Sequence, residues 1–215
     1  MSASLSNIFI PKCFDFLLDP LLQSLGIALD PYQKQLLRRH MELLLHWNSK
    51  INLTSVRDPR EIVRRHFGES LFLAACLDFD TGTLVDIGSG GGFPGFPVAV
   101  AKPGLTVTLV ESVAKKAAFL KEVSRDVANV RVFRGRFENL DATFDWAVVR
   151  WVPLNRLLDL ICLKCHGFSA LLGRAEAAPL AQDPRLRCQK PVPVPWQCDR
   201  VLAAALVGQG ETLNP

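Results

Sequence analysis

The stretch Leu84-VDIGSGGGFPGFP-Val98 sets an acid, Asp86, into the end of an apolar run and follows it with five glycines and two prolines in ten residues. A short apolar run that opens onto a glycine-rich turn and then a helix has the order strand, loop, helix. Working outward, Leu84–Ile87 is a candidate strand and Val98–Ala101 belongs to the helix after the glycines. Val107–Val110 reads as a second strand, Lys115–Asp126 as a helix and Val130–Phe133 as a third strand. Trp146–Val149 reads as a fourth, followed by a helix around Leu154–Leu163, a strand near Phe168–Leu172 and a last strand at Val201–Val207. Alternation of this kind predicts an α/β fold with a mostly parallel sheet covered by helices on both faces. In such sheets ligands sit beyond the carboxyl ends of the strands. That places the glycine loop, Glu111, the segment around Arg136 and Arg150 on one rim.

Gly90-x-Gly92-x-x-Gly95 formally matches the dinucleotide fingerprint, which alone is a weak signal. Three features point to a different nucleoside. Asp86 precedes Gly88 by two residues, giving Asp-x-Gly-x-Gly. Glu111 ends the next strand, where a carboxylate can accept both ribose hydroxyls. Pro94 and Pro97 remove two N–H donors from a loop that a pyrophosphate would need open. S-adenosylmethionine carries no phosphate; it asks for a carboxylate held, an ammonium matched by acid and an adenosine gripped, which Asp86, the backbone of Gly88 and Gly90, and Glu111 can supply. The competing reading is a tight turn with a buried core acid.

The 215 residues are 49% hydrophobic and 21% charged, which suits a globular chain, and no apolar run approaches the roughly 18 residues that span a bilayer. The first residues lack a basic region leading into an apolar core, so no secretion signal is read and a cytoplasmic protein, monomeric by default, is expected. Asp30-Pro31-Tyr32-Gln33 spells a capping box and opens a helix with Leu37, Met41, Leu44 and Leu45 on one side. Asp58-Pro59-Arg60-Glu61 repeats the device before Ile62, Val63, Phe67 and Leu71, and Ile51–Asp58 is a polar connector. Residues 1–80 are therefore expected to form a helical N-terminal cap, its first twenty residues loosely ordered, with residues 81–215 as the second domain. From Pro31 to His66 the balance is +5, against +4 for the whole chain. Arg57, Arg60, Arg64, Arg65 and His66 thus become candidates for contacts to phosphates, a solvated helix face being the plain alternative. The six cysteines read as reduced thiols. Cys162-Leu-Lys-Cys165-His166 spells a haem-attachment string, but its context and the later cysteine spacing fit neither haem nor zinc.

Trp47-NSKINLTSVRDPREIVRRH-Phe67, Leu84-VDIGSGGGFPGFP-Val98 and Val107-TLVESVAK-Lys116 occur in one order, and the region from about Pro20 to Leu172 resembles the glucose-inhibited division protein B family, the 16S ribosomal RNA (guanine-N7) methyltransferases. The resemblance implies a Rossmann-like methyltransferase sheet with an N-terminal helical cap, S-adenosyl-L-methionine as cofactor, and as partner the 16S ribosomal RNA or small ribosomal subunit, with one loop guanine near the decoding centre as target. It also implies cofactor contacts for Gly88 and Phe93, an adenine bracket from Phe137 and Glu138, an active-site role for Arg150, and RNA or substrate binding by Lys115 and Arg136. The sequence departs from the family pattern at Trp151, where a small residue follows the arginine, at Ala114 for a glycine, at Leu172 for a lysine, and throughout the chain after Arg174.

Guanine N7 carries an available lone pair, so its methylation needs no base, and alignment with electrostatics can carry the reaction. The fourth strand ends in Val148-VRWV-Pro153, not the Asp/Asn-Pro-Pro-aromatic string of adenine N6 or cytosine N4 enzymes, and no Pro-Cys pair offers a cytosine C5 nucleophile. Arg150 is expected to grip guanine O6, or to order the methionine carboxylate, leaving N7 free; the alternative is an ion pair with a core carboxylate such as Asp86 or Asp145. Two other readings stay open: a methyltransferase for a small molecule or protein, and a Rossmann-type protein that binds a nucleotide without catalysis.

Overall fold

The structure is a computed structural model that describes the backbone of residues 6–208 and side chains from residue 14 onward. Five strands run parallel: β1 (Gly82–Ile87), β2 (Leu105–Glu111), β3 (Val130–Arg134), β4 (Phe144–Arg150) and β5 (Cys165–Gly173). Three more lie beyond β5: β6 (Leu186–Cys188), β7 (Val192–Val194) and the eleven-residue β8 (Gln197–Val207). The order is β3-β2-β1-β4-β5-β8-β6, with β8 antiparallel to β5 and β7 also on the outer edge of β8. The chain thus reverses direction across the sheet between β1 and β4, and the carboxyl ends of these strands flank the crevice where open α/β sheets bind ligands.

The helices are α1 (Ser6–Leu25), α2 (Pro31–Asn48), α3 (Pro59–Ile62), α4 (Gly68–Cys76), α5 (Gly95–Ala101), α6 (Ala114–Val123), α7 (Leu158–Lys164) and α8 (Arg174–Ala177). Asp30 caps α2 as its sequence predicts: its side chain accepts from Gln33 N at 2.8 Å while Gln33 Oε1 accepts from Asp30 N at 2.8 Å. Asp58 caps α3 through Arg60 N, and a π-helical turn, Val63–Phe67, joins α3 to α4 without a break. The expectation of a loose first twenty residues is corrected from residue 6 onward; residues 1–5 lie outside the described part. Within α1, Phe14, Leu18 and Leu22 recur every four residues and are buried against the cap.

Alternation along the strands builds two cores. Leu84, Leu105, Val107, Leu109, Trp146, Val148, Leu171 and Leu202 face α1, α2 and α4–α6, while Val85, Val110, Ala147, Val149, Phe168, Ala170 and Ala203 face α7 and α8. Cap and sheet share the first core outright, with Phe67 of the cap touching Phe93 of the glycine loop edge-on at 5.1 Å. Further ties run from α2: Trp47 Nε1 donates to Glu122 on α6 at 2.9 Å, and Arg39 pairs with Asp126 just past α6. The same alternation sends Asp86, Glu111 and Arg150, the acid or base near the end of β1, β2 and β4, to the cap side of the sheet.

Candidate active site

The glycine loop is bound to the sheet by its own backbone. Gly88 and Ser89 N–H groups both donate to Val110 O at 3.0 Å, and Gly92 and Phe93 N–H groups turn back onto Ser89 O. Gly88, Gly90 and Gly92 all have positive φ, a region other residues adopt at a cost. Asp86 Oδ2 accepts from Gly95 N at 2.9 Å, so the acid anchors the far end of the loop from beneath. Glu111 anchors its crest: Oε2 accepts from Gly90 N at 3.0 Å and Oε1 from Val113 N at 2.7 Å. His40 of α2 supports the loop from the cap, stacked on Phe93 at 4.6 Å with Nε2 at 2.7 Å from Gly91 O. A carbonyl only accepts, so Nε2 carries the proton; burial pulls His40 down to about 4 and keeps it neutral.

Above the loop lies a cavity of about 490 Å³, lined by Gly88, Gly90, Phe93, Glu111, Lys116 and Arg150, by Trp151 and Val152 after β4, and by Leu53–Val56, Arg65 and His66 of the cap. Arg150 crosses into it from a buried network. Its Nε donates to Glu69 Oε2 at 2.6 Å, and its NH2 donates to Arg65 O at 3.1 Å and to His66 Nδ1 at 2.8 Å. Because the guanidinium can only donate, His66 Nδ1 accepts and Nε2–H faces Thr54 Oγ1 at 2.7 Å. Burial, with the charges of Arg150 and Arg65 adding to it, holds His66 down at about 3. Glu69 also accepts from Gln197 Nε2 at 2.5 Å and lies 3.8 Å from Arg200 Nε on β8.

The residues predicted from sequence divide on this geometry. Gly88, Gly90, Phe93, Glu111, Arg65, His66 and Arg150 meet at the cavity; Asp86 lies directly beneath it, fully buried and outside its lining. Arg150 pairs with neither Asp86 nor Asp145 but with Glu69 of α4, and Asp145 is engaged by Thr83. His66 is buried and neutral rather than an exposed phosphate ligand. Phe137 is buried in the second core and Glu138 is exposed; neither lines the cavity, and Lys164 Nζ donates to both backbone carbonyls. Lys115 and Arg136 are exposed on the rim side, while Lys116 is the lysine of that pair that reaches the lining. Arg57 donates to Asn48 O, and Arg64 pairs with Glu61 beside a separate groove that Arg60 also lines. Lys34, Arg38, Arg39 and Arg64 are matched by Asp19, Asp15, Asp126 and Glu61, so half of the basic run is neutralised within the fold. Cys162 lies in α7 and Cys165 starts β5; among the described residues no cluster of His, Cys, Asp or Glu is placed to hold a metal.

Sequence reasoning missed His40, Glu69, Arg200 and the Leu53–Val56 wall. The wall is fixed by Asn48, whose Oδ1 accepts from Leu53 N and Thr54 N and whose Nδ2 donates to Thr54 O. None of these residues carries a local motif; each acquires its place through a contact with an element distant in sequence or through a loop conformation.

Strand order, the antiparallel β8, the glycine loop after β1 and the acid ending β2 define a Rossmann-like fold of the methyltransferase class. The O-methyltransferase from Bacillus cereus in complex with SAH shares that fold, with a TM-score of 0.57, 15% identity and coverage of 78% of this chain and 90% of that one. Residues 33–166 match the family described as rRNA small subunit methyltransferase G (GidB), and the chain belongs to that family. Ribosomal RNA small subunit methyltransferase G of Xanthomonas euvesicatoria pv. vesicatoria (strain 85-10) is 44% identical over 134 residues, covering 60% of this chain and 61% of that protein. The protein of the same name from Anaeromyxobacter sp. (strain Fw109-5) is 41% identical over 147 residues, covering 62% and 68%. The match thus spans about three fifths of the length of the Xanthomonas relative. Among the described residues no helix is long and apolar enough to cross a membrane.

Proposed function

We propose that the cavity binds S-adenosyl-L-methionine and that the protein methylates N7 of a guanine in small-subunit (16S) ribosomal RNA, acting in the cytoplasm. The observation that carries the reading is the absence of a free base among the titratable groups lining the cavity. Glu111 is held by the N–H groups of Gly90 and Val113, with its remaining lone pairs committed to the cofactor's ribose hydroxyls, and both nitrogens of His66 are engaged. At about 3, His66 also lies far below the pH at which it would take a proton usefully. The remaining charged groups, Arg65, Lys116 and Arg150, are cations. Such a site suits a nucleophile that reacts through a lone pair already available, and guanine N7 is one.

The residues present fit the cofactor. A Cβ on Gly90 would meet nothing closer than Gly88 O at 3.8 Å, so protein packing does not require this glycine; its φ of +53 and the open cavity beside it do. The two N–H bonds to Glu111 leave lone pairs on the carboxylate for ribose hydroxyls. Phe93, Val56 and Leu53 supply apolar wall for an uncharged ring. When bound, the cofactor supplies an electrophilic methyl on a sulfonium. Arg150 NH1 has no acceptor among the described residues, so the guanidinium keeps one charged donor for guanine O6 or the cofactor carboxylate, while Glu69 and His66 hold its plane. Asp86 contributes by fixing Gly95 rather than by touching ligand. Lys116 and Arg65 at the cavity, with Lys115, Arg136 and Arg57 around it, offer cations to RNA phosphates.

The test is methyl transfer from labelled S-adenosylmethionine to small ribosomal subunits, with the modified nucleotide mapped. Label in 7-methylguanine at one 16S position is the expected result. Incorporation elsewhere, or binding of NAD in place of S-adenosylmethionine by titration calorimetry, overturns the reading.

A further inference from the structure

Trp151 is the first residue past β4 and, among the described residues, the one non-glycine residue with positive φ, at 60°. A bulky side chain avoids that conformation, and backbone strain of this kind gathers where a ligand must be held. The ring lines the cavity yet is 60% exposed, and its indole N–H has no partner among the described residues. The other three tryptophans are absorbed by the fold: Trp47 donates to Glu122, Trp146 to Ser169, and Trp196 packs on Phe72. Trp151 is held instead by buried cations, Arg150 Cζ standing 5.7 Å from its ring centroid and Arg200 closer. Arg200 Cζ lies 4.2 Å from the ring centroid, and its own NH2 is fixed on Leu171 O at 2.7 Å. The indole is therefore a flat apolar surface, set in position before any ligand arrives and adjacent in sequence to Arg150.

We propose that Trp151 is the stacking platform for the target base, a positioning residue that holds the unstacked guanine flat while Arg150 takes an edge of the same ring. The proposal rests on the methyl-transfer reading above. Bases inside RNA structure are reached by being taken out of the stack, and aromatic side chains receive them because every base has a π-face. The Arg200 clamp matters here because a ring already immobilised loses little side-chain freedom when a base settles on it.

Steady-state methylation of small ribosomal subunits tests this. Trp151→Ala is expected to raise KM for subunits about tenfold, in the range of one lost base–aromatic stack, while kcat changes less than about twofold. The Kd for S-adenosylmethionine by calorimetry stays at the unaltered value, which also shows that the variant folds. Trp151→Phe keeps a planar face and is expected to recover most of the lost KM. A KM unchanged in Trp151→Ala, or equal impairment in Ala and Phe, overturns the platform while leaving methyl transfer standing. Failure of the unaltered chain to methylate overturns the underlying reading and the platform with it.

Discussion

Glu69 answers two guanidiniums from two different strands while fully buried, and it does so from the cap. Such a carboxylate is worth little as a net attraction, because desolvating the charges costs nearly what their pairing returns, but removing one partner strands the others. Glu69→Ala is therefore expected to cost about 3–5 kcal/mol of unfolding free energy in urea titration. A loss under about 1 kcal/mol would show that water reaches the guanidiniums and that the network does not hold Arg150. Gly95→Ala makes a second case: the new Cβ would stand 2.5 Å from Leu109 Cδ2 and 2.6 Å from Asp86 Cβ. About 1–3 kcal/mol of overpacking follows, together with weaker cofactor binding in calorimetry as the Asp86 anchor shifts. At this scale the sequence is legible where a residue's role depends on its own strand. Glu111 and Arg150 are readable because they end apolar runs, where topology sends ligands; Asp86, one residue short of its strand's end, is instead placed beneath the cavity, where it anchors Gly95. Glu69 and Arg200 are not, because their partners lie 81 and 131 residues away from one another's segments and only the folded sheet brings them within reach.

Elements were legible where local chemistry specifies them. The capping box at Asp30 and the proline-led start at Pro59 place two helices, and the apolar runs place the five parallel strands. The π-helical turn at Val63–Phe67 left no mark in the sequence, although it carries Arg65 and His66 to the cavity; such turns arise from tertiary packing and recur at functional sites. The short β6 and β7 were equally silent, since strands of three residues, one of them holding Pro193, carry no usable alternation. The connector after α2 reads as a polar loop, yet Asn48 folds it into a wall of the cavity. The two ends of α2 therefore separate stability from function. Asp30→Ala removes an exposed cap and is expected to cost about 1 kcal/mol in thermal or urea unfolding with cofactor affinity unchanged. Asn48→Ala releases the connector and is expected to weaken S-adenosylmethionine binding several-fold in calorimetry, beyond any stability loss common to both. Equal affinities in the two variants would mean that the connector does not form the wall in solution.

Across the whole molecule, cap and sheet share one core, so the buried titratable groups at their junction report on global unfolding. Leu172, where the resembling family carries lysine, belongs to the second core, and its change leaves this junction intact. Burial lowers the Arg150 guanidinium there, and three further groups have pKa values shifted within the range a pH titration reaches. Burial lowers His40 to about 4 and His66 to about 3, so from the ordinary value near 6.5 downward the unfolded chain binds two protons that the folded chain refuses. The stability these histidines contribute is present above pH 6.5 and is lost as pH falls toward 4. Asp86 runs the other way. Burial, helped by the nearby Glu111 charge and opposed by Gly95 N–H and Arg150, raises it to about 7, so the folded chain holds a proton that the unfolded chain releases above about 3.8. That contribution is present below pH 3.8 and fades as pH rises through 7. Two histidine protons against one carboxyl proton leave a net uptake of one on unfolding between about pH 6.5 and 4, a slope near 1.4 kcal/mol per pH unit. Stability should peak close to pH 6.5, fall at about that slope on acidification, and decline slightly from 6.5 to 7 as Asp86 ionises. Urea midpoints measured at pH 5, 6.5 and 7.5 check the shape. His66→Gln should reduce the acid slope, whereas a slope untouched by that change would place the titration on other groups and leave His66 protonated and solvated, contrary to its bonds with Arg150 and Thr54.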